Sequence, residues 1–230
     1  MQSIASDNSL LPGIFVTIEG PDGAGKSSQQ RLLVERLRAL ELDVVATREP
    51  GGTELGEGIR SVLLQSTAAH DAVVDALLFN AARRALVDDV IRPALSRGAV
   101  VVCDRFADST LAYQGYGGGA SLATLKSLAE VATQGLQPTR TVLLDLAVET
   151  GLARRRGGPP EQLTRFETSA DHNQAFHARV RNGYLAMAAV EPERWRVVDA
   201  SGLADQVAER VWDALSDLFA DSAGGGKLRG

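Results

Sequence analysis

Gly20-Pro21-Asp22-Gly23-Ala24-Gly25-Lys26-Ser27 satisfies the pattern G-x-x-x-x-G-K-[ST] at every constrained position. Such a loop works only between a strand and a helix. Its glycines let backbone N–H groups curl around a phosphate chain, and the helix N-terminus adds its positive dipole end. Both flanks are present. Ile14-Phe15-Val16-Thr17-Ile18 reads as a buried strand, and Ser27-Ser28 opens a run with Leu32, Leu33, Leu37 and Leu40 on one helical face. A chance glycine-rich turn would need neither flank. The backbone from Gly20 through Ser28 is therefore expected to cradle the phosphates of a nucleoside triphosphate. Lys26 would reach the β and γ phosphates, and the Ser27 hydroxyl would ligate Mg²⁺.

The strand that feeds the loop has companions. Val44 to Thr47, Ala99 to Cys103, Thr141 to Leu146 and Trp195 to Val198 read as strands. The third of these five is a continuous apolar run, as expected for a parallel sheet covered on both faces. Helices are expected over Leu55 to Leu64, Ala72 to Ser96, Ser121 to Gln134, Asp171 to Val190 and Leu203 to Phe219. Gly115 to Gly119 reads as a glycine-rich turn, and Asp88-Asp89 as an exposed patch on a helix. Alternating strands and helices predict an α/β three-layer sandwich around a five-stranded parallel sheet. Ligands bind such folds at the carboxyl ends of the strands. The loops after residues 19, 47, 103 and 145 should thus converge on one site.

The 230 residues suit one domain, expected over 13–219, with a frayed extension at 1–12 and a flexible tail at 220–230. A net charge of -5 gives no global attraction to nucleic acid, so no nucleic-acid partner is expected. The one cysteine, Cys103, follows three valines and reads as a buried, inert thiol; it allows no internal disulfide. His70, His172 and His177 lack metal-ligand spacing. No apolar run approaches the roughly 20 residues that span a bilayer, and the N-terminus has no secretory pattern. The expected compartment is the cytoplasm, with no membrane contact.

A phosphate loop alone does not separate kinases from switch GTPases or motors. The N-K-x-D loop that reads guanine is absent. Arg48-Glu49-Pro50-Gly51-Gly52-Thr53, Leu78-Phe79-Asn80-Ala81-Ala82-Arg83, Asp104-Arg105-Phe106 and Ala112-Tyr113-Gln114-Gly115 follow the loop in order. Phe176 to Leu185 and Val198-Asp199-Ala200 complete the series. Together these segments resemble the bacterial thymidylate kinase family, over roughly residues 14–218.

Chemistry and resemblance then assign roles. Asp104 ends an apolar strand, where a carboxylate can orient Mg²⁺ through water. Arg105 can fork onto two oxygens of an acceptor phosphate, unless it merely pairs with Asp104. Arg48, at another strand end, can grip the same phosphate or stand as a solvated charge. Glu49 and Thr53 are expected to shape their loop. Phe79 and Arg83 share a helix face. Taken alone Phe79 reads as core; the resemblance implies that it stacks on thymine and that Arg83 bonds the O4 atom. Gln114 offers a donor and an acceptor to the thymine edge. The resemblance further implies that Tyr113 crowds the sugar 2′ position, that Asp22 bonds the 3′-hydroxyl, and that Ser109 lies near the base; Ser109 equally fits a loop cap.

Arg154-Arg155-Arg156 runs into a segment rich in glycine and proline and ends near Thr164-Arg165. A charge run is ordinarily a solvated face, but this one follows the fourth strand, so a lid over about 154–168 is expected. Some members of the family carry a catalytic arginine in the phosphate loop, where this chain has Gly23. The resemblance is therefore to the lid-arginine subtype, with Arg154, Arg156 and Arg165 as candidates and Arg155 behind them. Thr164 stands where the family usually has Asp. The resemblance implies transfer of the ATP γ-phosphate to dTMP, Mg²⁺ as cofactor, and a homodimer. Another nucleotide or a deoxynucleoside as acceptor, or a P-loop ATP switch without an acceptor, are the alternatives.

Overall fold

In the computed structural model, residues 13–65, 71–156 and 173–220 are described. β1 (Ile14–Glu19) runs through the middle of a five-stranded sheet with β2 (Val44–Arg48), β3 (Val100–Asp104), β4 (Arg140–Asp145) and β5 (Trp195–Asp199). The order is β2-β3-β1-β4-β5, and every pairing is parallel. The three-layer α/β expectation is met. From β1 the chain crosses over β3 to reach β2, and from β3 it crosses over β1 to reach β4. A crevice therefore opens between the carboxyl ends of β1 and β3, the place where such folds bind ligands.

Side-chain alternation builds two cores. Val16, Ile18, Val100, Val102, Val142 and Leu144 face one way. There they meet Leu33, Val34 and Leu37 of α1 (Lys26–Ala39) and, through the C-terminal region, Val207, Val211 and Phe219. Phe15, Val101 and Cys103 face the other way, against Leu86, Ile91 and Leu95. Leu143 meets Phe176, Val180 and Tyr184 on that same side. Register places the functional ends level: Ile18 and Arg48 both lie opposite Asp104.

The remaining helices are α2 (Glu54–Gln65), α3 (Ala72–Leu86), α4 (Arg92–Ser96), α5 (Ala107–Thr110), α6 (Leu122–Thr133), α7 (Val148–Arg156), α8 (Gln174–Val190) and α9 (Ala204–Asp213). Three differ from expectation. The run from Ala72 to Ser96 is helical throughout, but Val87–Ile91 widens into a π turn, with the Arg92 N–H reaching back to the Val87 carbonyl. Pro93 has no N–H and its ring would strike the carbonyl four residues earlier in an α-helix, so a wider turn relieves the conflict. The glycines at 115 and 117 do not form a turn; they close a helical segment, Leu111–Gly117. Gly117 is required for close packing, since a Cβ there would lie 2.7 Å from the Phe176 ring of α8. The last expected helix stops at Asp213, and a 3₁₀ turn at Ser216–Phe219 returns Phe219 to the core beside Leu215.

Candidate active site

The phosphate loop joins β1 to α1. Gly25 caps α1 in a left-handed conformation (φ 92°), which a side chain would disfavour. Lys26 folds back over the loop, its Nζ donating to the carbonyls of Gly20 (3.1 Å) and Pro21 (2.9 Å). Burial, and then the neighbouring Arg105 charge, pull the Lys26 ammonium down to about 8. Ser27 Oγ donates to Asp104 Oδ2 at 2.6 Å, joining α1 to the end of β3. Ala24 is buried in the core beneath the loop.

Beside the loop lies a cleft of about 420 Å³. Its walls bring together Asp22, Gly23, Gly25, Lys26, Ser27 and Ser28 from the loop with Asp104 and Arg105 from β3 and its end. Arg48, Phe79, Arg83, Ser109, Tyr113 and Gln114 line the same cleft, as do Arg154 and Arg155 of α7. The loops after residues 19, 47 and 103 thus converge as expected, whereas the region after residue 145 reaches the cleft through Arg154 and Arg155 of α7 and not through the loop itself. Gly20 and Pro21 enter through the carbonyls that hold Lys26. The Arg156 side chain, Arg165 and most of the expected lid lie outside the described residues.

Arg105 is the hub. Its backbone is left-handed (φ 70°), unusual for a side chain of this size. Its Nη2 donates to Asp22 Oδ1 at 2.6 Å and to the Tyr113 hydroxyl at 3.1 Å. Its Nη1 donates to Ser109 Oγ at 3.1 Å and to the Tyr184 hydroxyl at 3.3 Å. Burial alone would raise the Asp22 carboxyl, but the charges of Arg105 and Lys26 outweigh it and hold Asp22 below its ordinary value. The two neighbours Asp104 and Arg105 do not pair with each other: Asp104 turns to Ser27 and Arg105 to Asp22.

Arg83 lies deeper than its motif suggests, with a side chain only 1% exposed. Glu49 accepts from its Nε and Nη2, at 2.9 Å and 2.7 Å. Nη2 also donates to the Phe106 carbonyl and Thr110 Oγ1, and Nη1 to Asn80 Oδ1. Phe79, half-buried on the same helix, also lines the cleft. Arg48 is held by Glu57 at 2.9 Å on a half-exposed surface. Arg154 Nη1 lies 3.5 Å from the Gly23 carbonyl and 3.4 Å from that of Ala200, bridging the phosphate loop and the loop after β5.

Three participants escape a reading of the sequence. Glu49, expected only to shape its loop, is the counter-ion of Arg83. Arg60 of α2 lines the cleft and donates to the Pro50 carbonyl. Glu19, fully buried at the end of β1, accepts from the Phe106 N–H, Ser109 and Tyr184. The available signal for Glu19 is an acid closing an apolar strand, the same signal that marks Asp104.

A P-loop at the end of a central parallel strand, with a second set of cationic and aromatic groups facing it across one cleft, defines a P-loop nucleoside monophosphate kinase, an ATP-dependent phosphotransferase. The profile of the thymidylate kinase family matches residues 18–211. The chain is 50% identical to a thymidylate kinase of Thermomicrobium roseum over 205 residues, covering 89% of this chain and 95% of that protein. It is 46% identical to one of Deinococcus radiodurans, covering 90% and 98%. A crystal structure of thymidylate kinase from Ehrlichia chaffeensis superposes with a TM-score of 0.73 at 31% identity, covering 88% of this chain and 98% of that one. The chain belongs to the thymidylate kinase family.

Proposed function

We propose that the cleft transfers the γ-phosphoryl group of ATP to the phosphate of dTMP, giving ADP and dTDP. Family membership supports the reaction, and one observation supports its location. Lys26 and the Ser27–Asp104 pair line one side of the same cleft as Arg105, Tyr113, Phe79 and Gln114. The first group suits the triphosphate of the donor and the second a nucleoside monophosphate.

Asp22 and Arg105 pair with each other at 2.6 Å, and each would trade that contact for a substrate group. Arg105 would take the acceptor phosphate and Asp22 the sugar 3′-hydroxyl. Phe79 would stack on the base. Of the Arg83 nitrogens, Nη1 has a second hydrogen beyond its bond to Asn80, and this is the one assigned to a thymine carbonyl. The acceptor is already an anion, so no general base is required. Catalysis rests on in-line positioning and on cations that offset crowded charge. Arg154 is the lid-stem candidate for that last role; Arg156 and Arg165 remain candidates outside the described side chains.

Mg²⁺ fits the site. Ser27 Oγ and Asp104 Oδ2 are hard oxygen donors 2.6 Å apart beside the phosphate loop. Among the described residues no group of three or more His, Cys, Asp or Glu could cage a metal, and Mg²⁺ in such sites draws its other ligands from phosphate and water. Bound there, it would neutralise charge on the β and γ phosphates.

A homodimer is part of the proposal. Leu55, Val62, Val74 and Leu77 are exposed on α2 and α3, two helices that pack on each other. Such an apolar face suits a second copy. No helix among the described residues is long and apolar enough to cross a membrane, and a cytoplasmic setting is proposed.

The test is ADP production from Mg·ATP with dTMP, dUMP, dCMP, dGMP, AMP, UMP or thymidine. Stimulation by dTMP, with dUMP weaker, is expected. Preference for thymidine would make the acceptor a nucleoside, and ATP binding without stimulation by any acceptor would favour a switch.

A further inference from the structure

Beneath Arg105 lies a carboxylate that the phosphoryl-transfer scheme does not use. Glu19 is 0% exposed. Its Oε1 accepts from the Phe106 N–H at 2.7 Å, fixing the backbone just after Arg105. Its Oε2 accepts from Ser109 Oγ at 2.6 Å and from the Tyr184 hydroxyl at 2.9 Å. The same two hydroxyl oxygens receive Arg105 Nη1, at 3.1 Å and 3.3 Å.

A hydroxyl has one hydrogen to give. Ser109 and Tyr184 also lie 2.9 Å apart, but a bond between them would turn a hydrogen away from the carboxylate. The charge-assisted bonds to Glu19 are the stronger choice. With both hydrogens committed to Oε2, both oxygens present lone pairs to Arg105. We propose that Glu19 is the positioning residue for Arg105: its carboxylate draws the Ser109 and Tyr184 hydroxyl hydrogens onto itself, so that both oxygens turn their lone pairs to the guanidinium as charge-strengthened acceptors.

A neutral group at position 19 reverses this. Protonated Glu19 must donate, so it no longer draws both hydroxyl hydrogens: one turns toward the other hydroxyl, 2.9 Å away, and without the carboxylate charge behind them both oxygens become weaker acceptors for Arg105. A glutamine fails in either amide orientation: with its NH₂ toward the hydroxyls it cannot draw both of their hydrogens, and with its NH₂ toward the Phe106 N–H two donors meet at the backbone just after Arg105. Burial, and then the Asp108 charge, push the Glu19 carboxyl up to about 7. The charged and titratable groups facing it are Asp108 of α5, Arg105 at the β3 end, Cys103 of β3, Lys26 of α1 and Tyr184 of α8. The arrangement is therefore complete above neutral pH and lost as pH falls through that value.

The inference rests on Arg105 as the clamp for the acceptor phosphate. The test compares wild type, Glu19→Gln and Arg105→Gln by KM for dTMP and for ATP between pH 6 and 8.5. For Glu19→Gln the KM for dTMP should rise about tenfold at pH 8, the effect of losing one charge-assisted bond, while the KM for ATP stays within about twofold. The ratio of variant to wild type should fall toward one at about pH 6, because wild-type Glu19 is then itself protonated. Ionisation of dTMP's own phosphate, near pH 6, cancels in that ratio. A ratio that stays constant with pH, or equal losses for both substrates, would mean that Glu19 only supports the fold and would overturn the inference alone. An unchanged KM for dTMP in Arg105→Gln would overturn the clamp and the inference with it. If Glu19→Gln does not fold, Tyr184→Phe keeps the ring and removes one acceptor. It should raise the KM for dTMP about threefold at pH 8 and less at pH 6; no change would overturn the inference.

Discussion

The Ser27 hydroxyl donates to Oδ2 of Asp104 at 2.6 Å, tying the first turn of α1 to the end of β3. Two residues 77 positions apart thus form one oxygen pair at the mouth of the phosphate loop. Ser27→Ala should raise the Mg²⁺ concentration for half-maximal rate by about 10- to 100-fold, the range for loss of a supporting group at a metal site. A magnesium titration of ADP release checks this. An unchanged titration would remove Ser27 from the metal site.

Arg83 and Phe79 share a helix face but should fail in different ways. Breaking the buried Arg83–Glu49 pair leaves an uncompensated charge, which costs about 3–5 kcal/mol. Arg83→Met should therefore lower stability by that order in denaturant unfolding. Half-buried Phe79 has less to lose. Phe79→Ala should weaken dTMP binding by about 1–3 kcal/mol, the usual worth of a stacked base, with little effect on ATP. An unaltered KM for dTMP would return Phe79 to the core.

Lys26 gives binding a pH signature. Burial pulls it down to about 8 in the free site, and a triphosphate favours its cationic form. ATP binding should then take up a proton: roughly half a proton at pH 8, and close to none at pH 6.5, where Lys26 is already charged. Calorimetry in buffers of different ionisation enthalpy measures this. Lys26→Ala should abolish both the uptake and phosphoryl transfer while the fold persists.

Gly23 occupies the position where some members of the family carry an arginine, and the structure leaves it no room. Its backbone is left-handed (φ 77°), and a Cβ would run into the carbonyl of Gly151 on α7. Gly23→Ala should cost about 1–3 kcal/mol through strain and raise the KM for ATP, because α7 would have to leave the loop. Wild-type kinetics in that variant would show that the Gly23–Gly151 contact is dispensable.

The exposed apolar face of α2 and α3 should carry the dimer. Leu77 is 50% exposed, so Leu77→Asp should not disturb the core but should shift light-scattering mass from two copies to one. A wild-type protein of monomer mass at micromolar concentration would dismiss the dimer.

The phosphate loop, the five strands and their parallel arrangement are legible in the sequence, because each depends on local rules. Glycines permit the loop, period and apolar run length mark the strands, and alternation with helices sets the sheet. Asp104 can be singled out as a strand-ending acid for the same reason. What each side chain touches cannot be read this way. Glu19 closes a strand just as Asp104 does, yet one reaches Ser27 and the other disappears beneath Arg105. Glu49 resembles loop punctuation until the fold sets Arg83 against it, 34 residues away. The helical path through Gly115 and Gly117 depends on α6 and α8 arriving close enough, at Gly115 and Gly117 in turn, to require glycine. Local propensity and periodicity are properties of short windows and survive in the sequence. The partner of a buried charge is chosen only when distant segments meet and desolvation makes an unpaired charge too costly, and that choice belongs to the tertiary structure.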